Sequence, residues 1–355
     1  MMKMRRYSLL ASLALVVQLG SGLLARAAES LPAQLTDQEF WKLSSESSEP
    51  DGSFRSDNLL SNESFFQFVI PPLNAAARSG RVYMGVGPEQ NFTYIAALKP
   101  KMVFIVDVRR GNLELQLMYK ALFEMSKDRA EFVSKLFSRK QPEGLGPKST
   151  ADEIFSAFSY VQSSELLYNE NLKAIEEHLT RKHGFPLSAN DLSGIEYVYN
   201  NFFRFGPRIN YGSSGSGGFG NGVTYADLMT ATDDSGMPRS YLANEENFNV
   251  MKSLESKNLL VPVVGNFAGP KAIRAVGKYV KEKDGTVSAF YLSNVEQYLE
   301  MDGIWDDFCR NVATLPLDDS STFIRSIRGG RYGNGTGLNS DLGNMSSEVK
   351  SCSAK

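Results

Sequence analysis

The chain has few of the residues that usually carry metal and redox chemistry. Its 355 residues include two cysteines, Cys309 and Cys352, and two histidines, His178 and His183. A zinc site of four cysteines is therefore excluded within one chain. One of two cysteines and two histidines would need all four residues, and the close cysteine pairing of such sites is absent. A multi-disulfide scaffold is excluded too, while a single Cys309–Cys352 bridge is open but not required. An excess of one charge is also missing. The formal net charge is −2, which gives no global basic field to hold nucleic acid. No G-x-S-x-G elbow is present, and the two histidines sit close together in one helical stretch, so a hydrolase lacks support. Both histidines read as surface positions near a helix end, and no metal site is expected. The composition is 42% hydrophobic and 22% charged, ordinary for a globular chain, which rules out collagen, coiled coil and wholesale disorder.

What is present begins with an address. Lys3, Arg5 and Arg6 precede an uncharged, mostly apolar run over 9–24, followed by Ala25-Arg26-Ala27. A positive start, a short greasy middle and a small-residue end read as a secretory signal peptide over 1–27. The run is short for a membrane span, and no cysteine follows it to take a lipid. Cleavage removes four basic residues and no acid, leaving a mildly acidic chain exported to the periplasm or the medium, with no stable membrane span.

Residues 28–80 form a polar, partly helical segment. Thr36 with Glu39 three residues on marks a helix start. From 81 the pattern alternates: strand over 81–85, helix over 89–98, strand over 101–108, helix over 112–125. The second strand is continuously apolar, as in a parallel sheet covered on both faces. A helical insertion is expected over about 126–205. The Gly/Ser-rich stretch 212–222 is either a mobile lid or a surface loop. Alternation resumes with helix 245–256, strand 259–264, helix 270–282, strand 286–292, helix 295–301 and strand 321–327. The tail 329–355, rich in Gly, Ser and Asn, is expected to be disordered. The fold class is thus α/β, a Rossmann-like three-layer, mostly parallel sheet over 81–328.

The most informative constellation is Tyr83-Met84-Gly85-Val86-Gly87-Pro88-Glu89-Gln90-Asn91. Gly85-x-Gly87 ends a strand and opens a helix, where glycine permits a tight turn and close approach of a ligand to the backbone. Asp107 follows 22 residues after Gly85, at the carboxyl end of the second strand, where nucleotide-binding folds place an acid for ribose hydroxyls. The alternative is a tight turn with a helix-capping Asp. The third glycine of a dinucleotide loop is replaced by Gln90, and Pro88 removes an N–H that a pyrophosphate would use. An adenosyl ligand without phosphate, S-adenosylmethionine, is therefore the expected small molecule. Tyr83 stands where methyltransferases usually carry an acid, so Glu89 or Asn91 would contact the ligand's amino acid part. Asn266, after the strand ending at Val264, would grip an acceptor amine or cap a helix.

The stretches 85–95, 107–110, 119–124, 261–270 and 290–296, with the string Ser56-Asp57-Asn58-Leu59-Leu60-Ser61-Asn62-Glu63, resemble a bacterial exported-protein family of unsettled activity. That family has a class I methyltransferase-like fold and includes a leptospiral exported protein. The resemblance runs from about Phe40 to Arg328. It implies that Gly85, Gly87 and Asp107 form the cofactor loop and ribose acid. Two activities stay open, methyl transfer and non-enzymatic binding by an exported protein that retains the fold. The protein partner and the acceptor are not legible.

Overall fold

The computed structural model describes residues 30–213, 222–335 and 337–352. Residues 1–27, expected to be a signal peptide, and most of the Gly/Ser-rich loop lie outside the described residues. In chain order the elements are α1 (Asp37–Ser47), α2 (Ile70–Ala76), β1 (Val82–Gly85), α3 (Gln90–Leu98), β2 (Met102–Asp107), α4 (Arg110–Met125), α5 (Arg129–Phe137), α6 (Ala151–Ser159), α7 (Glu165–Glu177), α8 (Ala189–Phe205), α9 (Tyr225–Thr230), α10 (Glu245–Ser256), β3 (Leu260–Val264), α11 (Ala272–Glu282), β4 (Val287–Ser293), α12 (Val295–Met301), α13 (Trp305–Val312), β5 (Thr322–Arg328), β6 (Leu338–Asn344) and α14 (Met345–Cys352).

The sheet order is β3-β2-β1-β4-β5-β6. The first five strands are parallel and β6 runs antiparallel to β5. This is the strand order of a Rossmann-like α/β sheet. The chain steps outward from β1 through β2 to β3, then returns to β4 on the other side of β1. The crevice between the carboxyl ends of β1 and β4 is therefore the topological switch point, where open α/β sheets bind ligands.

Local sequence explains most elements. Every residue of β1, β2 and β3 is buried, which only helices packed on the sheet allow. The α4 helix lies against β2 and β3, and α10 packs on α3 and α4. On β2, Phe104 meets Tyr279 of α11 at a ring distance of 6.0 Å. Thr36 caps α1 in a full capping box with Glu39, as the sequence predicts. The expected helical insertion is α5 to α8, docked through α8 on α4 and α5. Among the described residues no helix is long and apolar enough to cross a membrane.

Two readings change. The tail from 329, expected to be disordered, carries β6 and α14. Its Gly, Ser and Asn content hides an edge strand, which needs ladder bonds on one side only. Residues 338–344 pair with 322–328, Met345 is fully buried, and Cys352 is joined to Cys309 by a disulfide with Cα atoms 5.8 Å apart. The segment before β1 is also no loose appendage. Ser44 Oγ donates to Pro262 O at 2.6 Å, Val264 N to Ser48 Oγ at 3.0 Å and Glu49 N to Val264 O at 2.8 Å. Gly52 N then donates to Val108 O at 2.9 Å. This strap crosses the carboxyl ends of β3 and β2 and continues over the switch point.

Candidate functional site

The switch point holds a cavity of about 880 Å³, within the range of small-molecule sites. Its floor is the strand ends: Gly87 after β1, Asp107 on β2, Gly265 after β3 and Ser293 on β4. Its roof is the strap, residues 53–58 and 60–63. Side chains pin the roof down. Arg55 bonds the Tyr298 hydroxyl and lies over its ring at 5.1 Å. The Tyr197 hydroxyl donates to Asp57 at 2.7 Å, and Arg109 donates to the Asp57 carbonyl.

The glycine loop divides into two roles. A Cβ on Gly85 would fall 1.8 Å from Asn91 Oδ1, so this glycine makes room for Asn91. The Asn91 amide donates to Val86 O at 2.9 Å and Pro88 O at 2.8 Å, and its oxygen accepts from Tyr83 at 2.9 Å. Asn91 is fully buried and braces the loop from behind. Gly87 lines the cavity with φ +78°, and a Cβ there would meet nothing within 4 Å. That residue leaves the backbone open to a ligand. Glu89 is fully buried. It accepts from Ser61 N at 3.2 Å, and its other oxygen has no partner among the described residues. Burial pushes its carboxyl up to about 8, against the pull of the Ser61 N–H.

Asp107 lines the cavity and is 4% exposed. Its carboxylate is already engaged by Arg109, which donates from its backbone N at 3.0 Å and Nε at 3.2 Å to Oδ1, and from Nη2 at 3.1 Å to Oδ2. A carboxylate has about four acceptor positions, so roughly one remains for a ligand hydroxyl. Arg109 thus holds the acid in place and narrows what it can bind. Asn266 is exposed at the rim. Its Oδ1 accepts from Ala268 N at 2.9 Å in a local turn, so it does not cap α11, which starts at Ala272, and an acceptor lone pair is left on that oxygen.

The sequence did not single out Glu63, yet it sits at the centre of the site, 7% exposed. Its Oε1 accepts from Tyr291 at 2.8 Å and Ser293 at 2.9 Å, and its Oε2 from Gln90 at 2.9 Å. One carboxylate from the strap thereby joins the end of β4 to the start of α3. The signal available was its place in the string 56–63, in a polar segment that periodicity leaves blank. Two further carboxylates of the strap fill helix N-termini. Glu49 accepts from Lys271 N at 2.8 Å and Ala272 N at 2.9 Å at the start of α11, and Asp51 accepts from Arg110 N at 2.7 Å at the start of α4.

The histidines are not surface positions. The side chains of His178 and His183 are 9% and 8% exposed, and both face Glu124. An i,i+5 turn, His178–Lys182, draws them inward, a geometry that an α-helical reading of the sequence does not contain.

A six-stranded, mostly parallel α/β sheet with a roofed cavity at its switch point defines a Rossmann-like α/β architecture. Residues 59–186 and 223–348 match the family model described as domain of unknown function DUF7790. The chain belongs to that family. No curated protein matches it.

Proposed function

We propose that this is an exported protein whose switch-point cavity takes an S-adenosylmethionine-type ligand, with methyl transfer as its activity. The observation that carries the reading is the placement of Gly87 and Asp107 on the floor of one cavity beneath the Glu63 roof. Gly87 offers unobstructed backbone, and Asp107 one remaining acceptor for a ribose hydroxyl. The helix starts beside β2 and β3 are filled by Asp51 and Glu49, so phosphate is disfavoured at the places where helix dipoles usually hold it. That supports a ligand without phosphate. Methyl transfer asks mainly for a nucleophile held in line with the sulfonium carbon. An amine acceptor is supported by exposed Asn266 at the rim, whose Oδ1 keeps an acceptor lone pair.

The test is calorimetry of the mature chain with S-adenosylmethionine and S-adenosylhomocysteine. Wild type should bind both. Loss of one charge-assisted hydrogen bond costs about 1.5–3 kcal/mol, so Asp107→Ala should weaken binding roughly tenfold to a hundredfold. Gly87→Val should abolish it. If wild type binds neither compound, or Asp107→Ala binds as well as wild type, the reading fails. A second reading, non-enzymatic binding, is favoured by the Cys309–Cys352 disulfide. Such bonds persist in oxidising compartments, away from the cytosol where S-adenosylmethionine is made. Tight binding without turnover on any amine acceptor would select it.

A further inference from the structure

At the opposite end of α4 from the cavity, about 20 Å along the helix at ~1.5 Å per residue, three side chains turn their donor atoms to one point. His178 Nε2 lies 2.7 Å and His183 Nε2 2.8 Å from the same Oε2 of Glu124. The three donors all lie within 4.8 Å of one another. The backbone supports this convergence. His183 N donates to His178 O at 3.1 Å, the i,i+5 bond of a π-turn, which stacks two residues that an α-helix would splay apart. Such single turns gather at functional sites, and His-x4-His falls within the usual zinc-ligand spacing.

The surroundings fix each donor. His183 turns its Nδ1 to Asp37 Oδ1 at 2.6 Å, and that oxygen also accepts from Asn258 at 2.9 Å. The ring stacks on Phe185 at 5.0 Å. A carboxylate on Nδ1 with Nε2 facing inward is the outer arrangement that orients metal-ligating histidines. Buried Lys120 holds the other oxygen of Glu124 at 2.8 Å, leaving Oε2 for the common point. One cation already stands near it. Lys182 Nζ lies 3.3 Å from both Glu124 Oε2 and His178 Nε2, but its side chain is 60% exposed and free to swing into water.

We propose that Glu124, His178 and His183 bind a divalent transition-metal ion, with Lys182 competing for the same position. Two imidazole nitrogens and one carboxylate oxygen suit zinc rather than calcium or magnesium, which take oxygen ligands. Three protein donors leave a fourth, tetrahedral position for water. The adjacent ammonium of Lys120 moderates affinity.

Titrating chelator-stripped full chain with zinc chloride near neutral pH tests this. One equivalent should bind, and the heat should depend on the buffer because protons leave the ligands. Cobalt(II) as a probe should give visible absorption of a four-coordinate site. The His178→Ala, His183→Ala double variant and Glu124→Gln should each weaken zinc at least about a hundredfold, and Asp37→Asn roughly tenfold to a hundredfold. Lys182→Ala, a change at an exposed side chain, should tighten it severalfold. Three results would overturn the proposal: no zinc bound by wild type up to about 1 mM, binding untouched in the double variant, or binding unchanged in Lys182→Ala. The first and last do not depend on whether the buried variants fold.

Discussion

Glu89 shows how one buried side chain sets a pH dependence. The unfolded chain releases its proton near 4.5, while in the folded protein burial holds it to about 8. Ionisation between these values favours the unfolded state. The stability present below 4.5 is therefore lost as pH rises toward 8, by up to about 1.4 kcal/mol per pH unit for one group. Glu89→Gln removes that slope. Its urea midpoint should gain on wild type between pH about 5 and about 8, and an equal shift at both pH values would contradict the account. Glu255, buried and likewise raised to about 8, should leave a residual slope in the variant. Either Glu89 or Asn91 was expected to contact the ligand; the Glu89 carboxylate, just before α3, is fully buried and accepts from the Ser61 N–H of the strap.

At the scale of elements, the strap replaces local capping by capping at a distance. Glu49 accepts three backbone N–H groups, from Asn266, Lys271 and Ala272. Lys271 itself offers α11 no side-chain cap. Glu49→Ala should cost about 1–2 kcal/mol, as loss of a helix cap does, read as a lower denaturant midpoint. It should also loosen Asn266 at the rim, so hydrogen exchange at 266–272 should rise. No change in exchange there would show that the helix start is held by other means. The same long reach explains what the sequence could and could not convey. Strands and helices from β1 to α4 and from α10 to α12 were legible within a residue or two, because each carries its own period. The strap, β6 and the Glu63 centre were not. Their partners lie far along the chain, and a polar segment pinned by backbone bonds has no hydrophobic period to read. The Gly85–Asp107 spacing pointed to the ends of two strands that line one cavity, Gly87 and Asp107 among its residues. It could not show that Arg109 already occupies most of the acid, or that Asn91 braces the loop.

For the molecule as a whole, one covalent link joins α13 to the terminal helix. The Cys309–Cys352 bond closes a separation of 43 residues, for which removal typically costs about 2–4 kcal/mol. Cys352→Ser should lower stability by that amount, and wild type in reductant should match it. Equal stability of oxidised and reduced wild type would refute a stabilising role. The strap has another consequence, in the order of assembly. Its bonds span 218 residues from Ser44 to Pro262 and 223 from Glu49 to Ala272, so they form only after β3 and the start of α11 exist. Contacts of such separation are slow, because loop entropy is lost before they repay it. The earliest of these residues to leave the ribosome are thus the last to be seated, and the floor of the cavity stands open before its roof arrives. Trp41 rides on α1, stacked 5.4 Å from Phe185, and its fluorescence should report that closing step as the final phase of refolding.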